Sequence, residues 1–136
     1  MSAAQNLAYS LVQVVHNFGA VAAVGGSLAA LKFRGVDTRR ILAKVALGGL
    51  ATQGLSGAAF GATSYFFYHR FPDIAGIAIA ALAIKILCVV IGCLLLASYL
   101  MPGKDWAVTR MNVIWIALAL LTSTALTAAA FLRWFS

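Results

Sequence analysis

Apolar residues run along this chain in four long stretches, at about residues 7–31, 43–67, 74–99 and 108–131. A helix needs about 20 such residues to cross the hydrocarbon core of a bilayer, so each stretch is long enough. Three short polar connections separate them. The pattern predicts an all-α fold, an integral membrane antiparallel four-helix bundle, with residues 1–136 forming a single transmembrane domain. Pro72 and Pro102 both fall in connections, where the ring ends or begins a helix without breaking one. Asp37, Asp73 and Asp105 each stand near an expected helix start. A side-chain oxygen there accepts from free backbone N–H groups and meets the positive end of the helix dipole.

Small residues keep to particular faces. On the second stretch Gly49, Gln53, Gly57, Gly61 and Tyr65 recur every four residues. His16, Gly19, Ala23 and Gly26 share a face of the first stretch, and Lys85, Cys88, Gly92 and Tyr99 share one of the third. Faces of this kind let helix backbones approach closely, or leave room for a flat ligand.

The polar residues inside the stretches fall near one level. At 1.5 Å per residue from the outer ends, His16 and Thr122 lie about 13 Å deep, Ser56 and Lys85 about 16 Å, and Gln53 somewhat deeper. Lys85 is the costliest of them, because a lysine at the centre of a membrane helix is penalised by about 2.5–3.5 kcal/mol on insertion scales. It sits too far from either end for its stem to reach the headgroups. A partner or an anionic ligand inside the bundle is expected. Thr122 is expected to bond its own helix carbonyls, and His16 to bond across to Thr122 or Ser56 or to serve as a ligand.

Composition and charge narrow the class. The chain is 63% hydrophobic and 10% charged, against about a quarter charged for soluble domains. No cation precedes the first apolar stretch and no cleavage region follows it, so Met1 onward is expected in the mature chain. The net charge of +7 lies in and beside the connections, which points to membrane topology and lipid headgroups and not to nucleic acid. Lys32, Arg34, Arg39, Arg40 and Lys44 flank the first connection and Lys104 and Arg110 the third, while only Arg70 and Arg133 lie opposite. Positive charge resists translocation, so the first and third connections are expected in the cytoplasm. Both termini and the His69 loop are then outside, on the periplasmic side of a bacterial inner (plasma) membrane. Tyr9, Tyr65, Tyr68 and Trp134 are expected as an outer aromatic belt, with Tyr99 and Trp106 as the inner one. Cys88 and Cys93 lie five apart on different faces of one helix, which suits neither a disulfide nor a metal motif.

Two segments carry a resemblance. Residues 14–26 read Val-Val-His-Asn-Phe-Gly-Ala-Val-Ala-Ala-Val-Gly-Gly, and residues 83–90 read Ala-Ile-Lys-Ile-Leu-Cys-Val-Val. These resemble the first and third membrane helices of the CopD/HemJ-like group, with a His before a Gly-Gly pair and a lone Lys before an aliphatic run. The resemblance implies a four-helix membrane fold, a link to haem b or tetrapyrrole chemistry, and functional roles for His16 and Lys85. The chain departs from the HemJ-type pattern where a second His follows the first helix; Leu31-Lys32-Phe33-Arg34 stands there.

Three functions are therefore expected, in order. The first is a small redox-linked membrane subunit of respiratory or tetrapyrrole type, binding haem b or a quinone beside His16, Lys85, Gln53, Ser56 and Thr122. His16 would be the metal ligand if a haem is bound, since imidazole is a usual donor to haem iron. The second is a CopD-type transport component for copper or a small solute. The third is a non-catalytic accessory subunit, and either a homo-oligomer or a larger membrane complex is expected around the chain.

Overall fold

The computed structural model describes residues 2–70, 73–102 and 106–135. Four helices account for nearly all of them: α1 (Ala3–Lys32), α2 (Val36–Tyr68), α3 (Ile77–Leu100) and α4 (Val108–Phe135). The fold is an all-α four-helix bundle. Short connections make consecutive helices antiparallel, and the helices form the ring α1–α2–α3–α4, closest within the hairpins α1/α2 and α3/α4. The end holding residues 2, 69, 70, 73–76 and 135 is termed here the terminal end. The opposite end, with Lys32, Arg34, Arg40 and Arg110, is the basic end.

α1, α2 and α4 outrun the apolar stretches. α1 begins at Ala3, where Ser2 accepts from Gln5 N–H and the Gln5 side chain accepts from Ser2 N–H. This reciprocal cap satisfies two of the free N–H groups at the helix start. α2 begins at Val36 and not near residue 43, because hydropathy marks the apolar layer while backbone bonding continues past it. Arg39 and Arg40 are thus helical and not part of a connection. α3 starts later than expected, at Ile77, after Gly76 at φ +52°, a left-handed value that favours glycine. Asp73 consequently stands before that start and does not cap it. Asp37 lies in the first turn of α2, whose cap residue Gly35 offers no side-chain bond. Pro72, Lys104 and Asp105 lie outside the described residues.

Among the described residues α1, α3 and α4 are long and apolar enough to cross a membrane. The expected fourth crossing, α2, does not reach that hydropathy, since it carries Asp37, Arg39, Arg40, Lys44, Gln53 and Ser56. The exterior is rich in large apolar side chains, with Leu55 75%, Phe66 74% and Phe18 73% exposed. Small residues dominate between the helices, as lipid-embedded packing favours. A Cβ added at Gly49 would stand within about 3 Å of the backbone of Ala22, Ala23 and Gly19, so α1 and α2 touch through bare backbone there.

The apolar core is one-sided. Leu50, Leu96, Trp115, Leu118, Ile114 and Tyr99 cluster toward the basic end. Tyr99 was expected in an aromatic belt, but it is buried edge-on against Trp115 at 5.5 Å. The expected every-four stripe of α2 also fails along its length: Gly49 and Gln53 are buried, Gly57 faces open space and Tyr65 is exposed. Four residues turn a helix about 400°, so such a stripe drifts about 40° per step and leaves the core. Ser56 and Ser64 take the buried positions instead.

Candidate functional site: a lysine–histidine–serine chain across the bundle

His16 is presented by α1 just before its closest approach to α2. Gly19, one turn on, has no room for a Cβ against Gly49 and Thr52, which brings the His16 ring to α2. The ring is buried, 8% exposed. Its Nδ1 lies 2.7 Å from Ser56 Oγ and its Nε2 lies 2.8 Å from Lys85 Nζ. Lys85 belongs to α3, which sits diagonally opposite α1 in the ring, so this contact spans the bundle centre.

Hydrogen-bond direction fixes the histidine tautomer. Ser56 donates to the Thr52 carbonyl, so its oxygen is left to accept from His16 Nδ1–H. A lysine ammonium only donates, so His16 Nε2 accepts from it. The order is Lys85 N–H to His16 Nε2, His16 Nδ1–H to Ser56 Oγ, and Ser56 O–H to Thr52 O. At the Lys85–His16 contact two nitrogen bases face each other with one bridging proton. Both in their cationic forms would leave two donors pointing at each other.

Among the described residues no anion stands beside this charge. The chain holds three acidic residues, Asp37, Asp73 and Asp105, none within a membrane-depth segment. Among the described residues His16 is the one hydrogen-bond partner of Lys85. Phe60 covers the His16 ring edge-on at 5.8 Å, and Tyr9 stacks on Phe60 at 6.3 Å, one layer further toward the terminal end. Lys85 itself is half-buried.

The other expected site residues divide. Gln53 Nε2 donates to the His16 carbonyl at 2.7 Å, so it fixes the backbone of the residue that carries the ring. Thr122 is buried but donates to Leu118 O at 2.9 Å and to Ala119 O at 3.3 Å on its own helix, as expected, and no bond joins it to His16. Gln53 and Thr122 come together only one turn toward the basic end. There, with Ala20, Ala23, Val24, Leu50, Val89, Ala125 and Leu126, they line a cavity of about 10 Å³ drawn from all four helices. That is room for about one water. Cys88 is buried and Cys93 half-buried, both as free thiols. Among the described residues no three His, Cys, Asp or Glu side chains gather as a metal site. His69 ends α2 in a left-handed conformation beside Tyr65, far along the helix from Ser56.

One buried cation escaped the sequence. Arg39 was expected to mark topology at a surface, yet it is only 2% exposed. Its Nε donates to Ala30 O at 3.1 Å near the end of α1, and its Nη2 donates to Asn112 Oδ1 at 2.9 Å on α4. The signal was faint: Arg39 and Ala43 fall four apart on one face, and Ala43 is buried.

No protein-family model, no curated protein and no solved structure matches this chain. The resemblance to the CopD/HemJ-like group accordingly rests on the two helix segments around His16 and Lys85.

Proposed function

We propose that the chain is a small redox-linked subunit of a bacterial inner membrane, with both termini on the periplasmic side. In this reading Lys85, His16 and Ser56 bind a quinone headgroup and handle its proton. The observation that carries the reading is the 2.8 Å contact between Lys85 Nζ and His16 Nε2, two nitrogen bases within hydrogen-bond distance with no carboxylate beside them among the described residues. Membrane-buried ionisable residues of this kind mark proton relays and ligand sites. A quinone supplies paired electron and proton chemistry when bound. Lys85 is the group that meets its carbonyl oxygen, because it is a donor at the start of the hydrogen-bond chain and remains partly exposed. His16 holds the proton at Nδ1 against Ser56 and offers Nε2 to whatever Lys85 releases. Gln53 keeps the His16 backbone in place, and Phe60 and Tyr9 keep water away from the terminal side.

Haem b at His16 asks more of the protein. Lys85 would have to leave Nε2, and the helices would have to part far beyond a cavity of about 10 Å³ to admit a macrocycle. Copper or solute transport has no gathered set of soft ligands to build on among the described residues. The test is the ¹⁵N spectrum of His16 in lipid nanodiscs, with and without a short-chain quinone. The expected result is a neutral Nδ1–H ring whose Nε2 signal moves on quinone addition and stays fixed in Lys85→Met. An unresponsive Nε2 together with a Soret band in the purified protein would move haem ahead. No response to either would leave the accessory-subunit reading.

A further inference from the structure

α1 carries a second polar feature on a different face from His16. Asn6, Ser10, Gln13 and Asn17 follow one another at four, three and four residues. On a helix turning about 100° per residue they fall within an arc of about 60°. Asn6, Ser10 and Asn17 are exposed and Gln13 is half-buried. Asn17 lies about 21 Å from the Ala3 end of α1 and about 22 Å from the Lys32 end, so it stands midway along a helix long enough to cross a membrane. An exposed carboxamide at that depth faces hydrocarbon, where an unsatisfied polar group is strongly disfavoured.

The bundle itself does not satisfy these groups. Gln13 Nε2 donates to Asn17 Oδ1 at 2.7 Å, which leaves Gln13 Oε1 and both Asn17 N–H donors without a partner among the described residues. The side chains of Asn6 and Ser10 likewise have none among the described residues. Flanking positions are slim: Val14 and Val21 are 50% and 70% exposed beside the stripe.

We propose that this face is a self-association surface, at which α1 of one copy packs against α1 of a second copy. Two copies inserted by the same topology rule lie parallel in one bilayer, so each residue meets its own counterpart at its own depth. A carboxamide both donates and accepts, so Asn17 and Gln13 complement themselves, as a lysine or a carboxylate would not. The four–three–four spacing covers 11 residues in three steps, about 3.7 each, close to the 3.6 of the helix itself, so all four side chains stay on one narrow face. Interhelical carboxamide bonds of this type hold membrane helices together. The surface is independent of the Lys85–His16 chain, which points across the bundle interior.

The experiment has two arms, both on the full chain in lipid. The first measures association by energy transfer between two fluorophore labels as the protein is diluted in vesicles. The wild type is expected to dimerise, Asn17→Leu to weaken association about three- to twenty-fold, Gln13→Leu with Asn17→Leu further, and Asn17→Gln to restore much of it. The second places a thiol on either face in a variant carrying Cys88→Ala and Cys93→Ala. Asn17→Cys is expected to give a disulfide-linked dimer on mild oxidation, and Phe18→Cys, about 100° around the helix, is not. A wild-type chain that stays monomeric in lipid overturns the proposal and leaves the face to a different protein. So does a dimer that Asn17→Leu leaves unchanged, or one that cross-links through Phe18→Cys and not through Asn17→Cys.

Discussion

Arg39 and Lys85 are both basic residues inside the same bundle, and neither meets a carboxylate among the described residues. They differ in what they touch. Arg39, near the basic end, donates to the Ala30 carbonyl and to Asn112, two acceptors that take no proton. Lys85, near the middle, faces the imidazole of His16, a base that does. A guanidinium is a fixed planar donor, whereas an ammonium is a point donor on a flexible stem, here aimed at an imidazole nitrogen. One cation therefore ties α2 to the end of α1 and to α4, and the other faces a side chain that can itself accept a proton. The packing around them follows the same division. Leu50, Leu96, Trp115 and Leu118 fill the level above Arg39, while the Lys85 level is built from His16, Ser56 and Gln53. Buried charge by itself thus says little about function; the chemistry of its partner decides.

The strongest test of that division acts on both levels together. Gly49 lies between them and lets α1 and α2 touch. Gly49→Ala would set a Cβ 2.4 Å from Ala23 N and 2.7 Å from Gly19 O, and both are backbone atoms. Overpacking costs typically ~1–3 kcal/mol, and backbone that cannot yield puts this change at the upper end. The loss should appear as a lower midpoint of unfolding in mixed detergent micelles, with the His16–Ser56 bond disturbed as well. Gly48→Ala is the control. Nothing lies within 4 Å of its added Cβ, so stability should hold or rise slightly. Equal effects at 48 and 49 would refute the close approach.

Arg39→Met comes next. It strands the Ala30 carbonyl and Asn112 while keeping most of the side-chain volume, and hydrogen bonds to a charged group contribute about 1.5–3 kcal/mol. We expect a loss of roughly that size in the same assay and an unchanged His16 spectrum. A stable Arg39→Met protein would remove the latch.

Lys85→Met should have the smallest effect on stability, and the opposite sign is expected. It removes a buried cation whose insertion costs about 2.5–3.5 kcal/mol and loses one bond to a neutral ring. The folded protein should be as stable as wild type or slightly more so, while the quinone response of His16 disappears. A marked destabilisation would make Lys85 a structural residue like Arg39 and erase the contrast between the two.

Some of the site was legible in advance because burial in an apolar layer is itself a signal. His16 and Lys85 stood out by chemistry, and helix-rise arithmetic set them near one level with Ser56 and Gln53. The arithmetic worked for depth because axial position depends only on residue count. It did not choose among acceptors: Ser56 and Thr122 were equal candidates for His16 until the ring's direction was known. Arg39 was misplaced for a related reason. Charge near a helix end reads as surface, and only the approach of α1 and α4 encloses it.

The sequence by itself determined the number of helices, their apolar exterior and the level of the polar residues. Each depends on local composition and on a fixed rise of 1.5 Å per residue. The tertiary structure alone decided that Lys85 reaches across the diagonal to His16, that Gln53 binds a carbonyl, and that Arg39 is inside while Asn17 faces out. Those outcomes turn on the rotation of each helix about its axis. Packing sets that rotation through contacts such as Gly19 against Gly49, which join residues far apart in the chain.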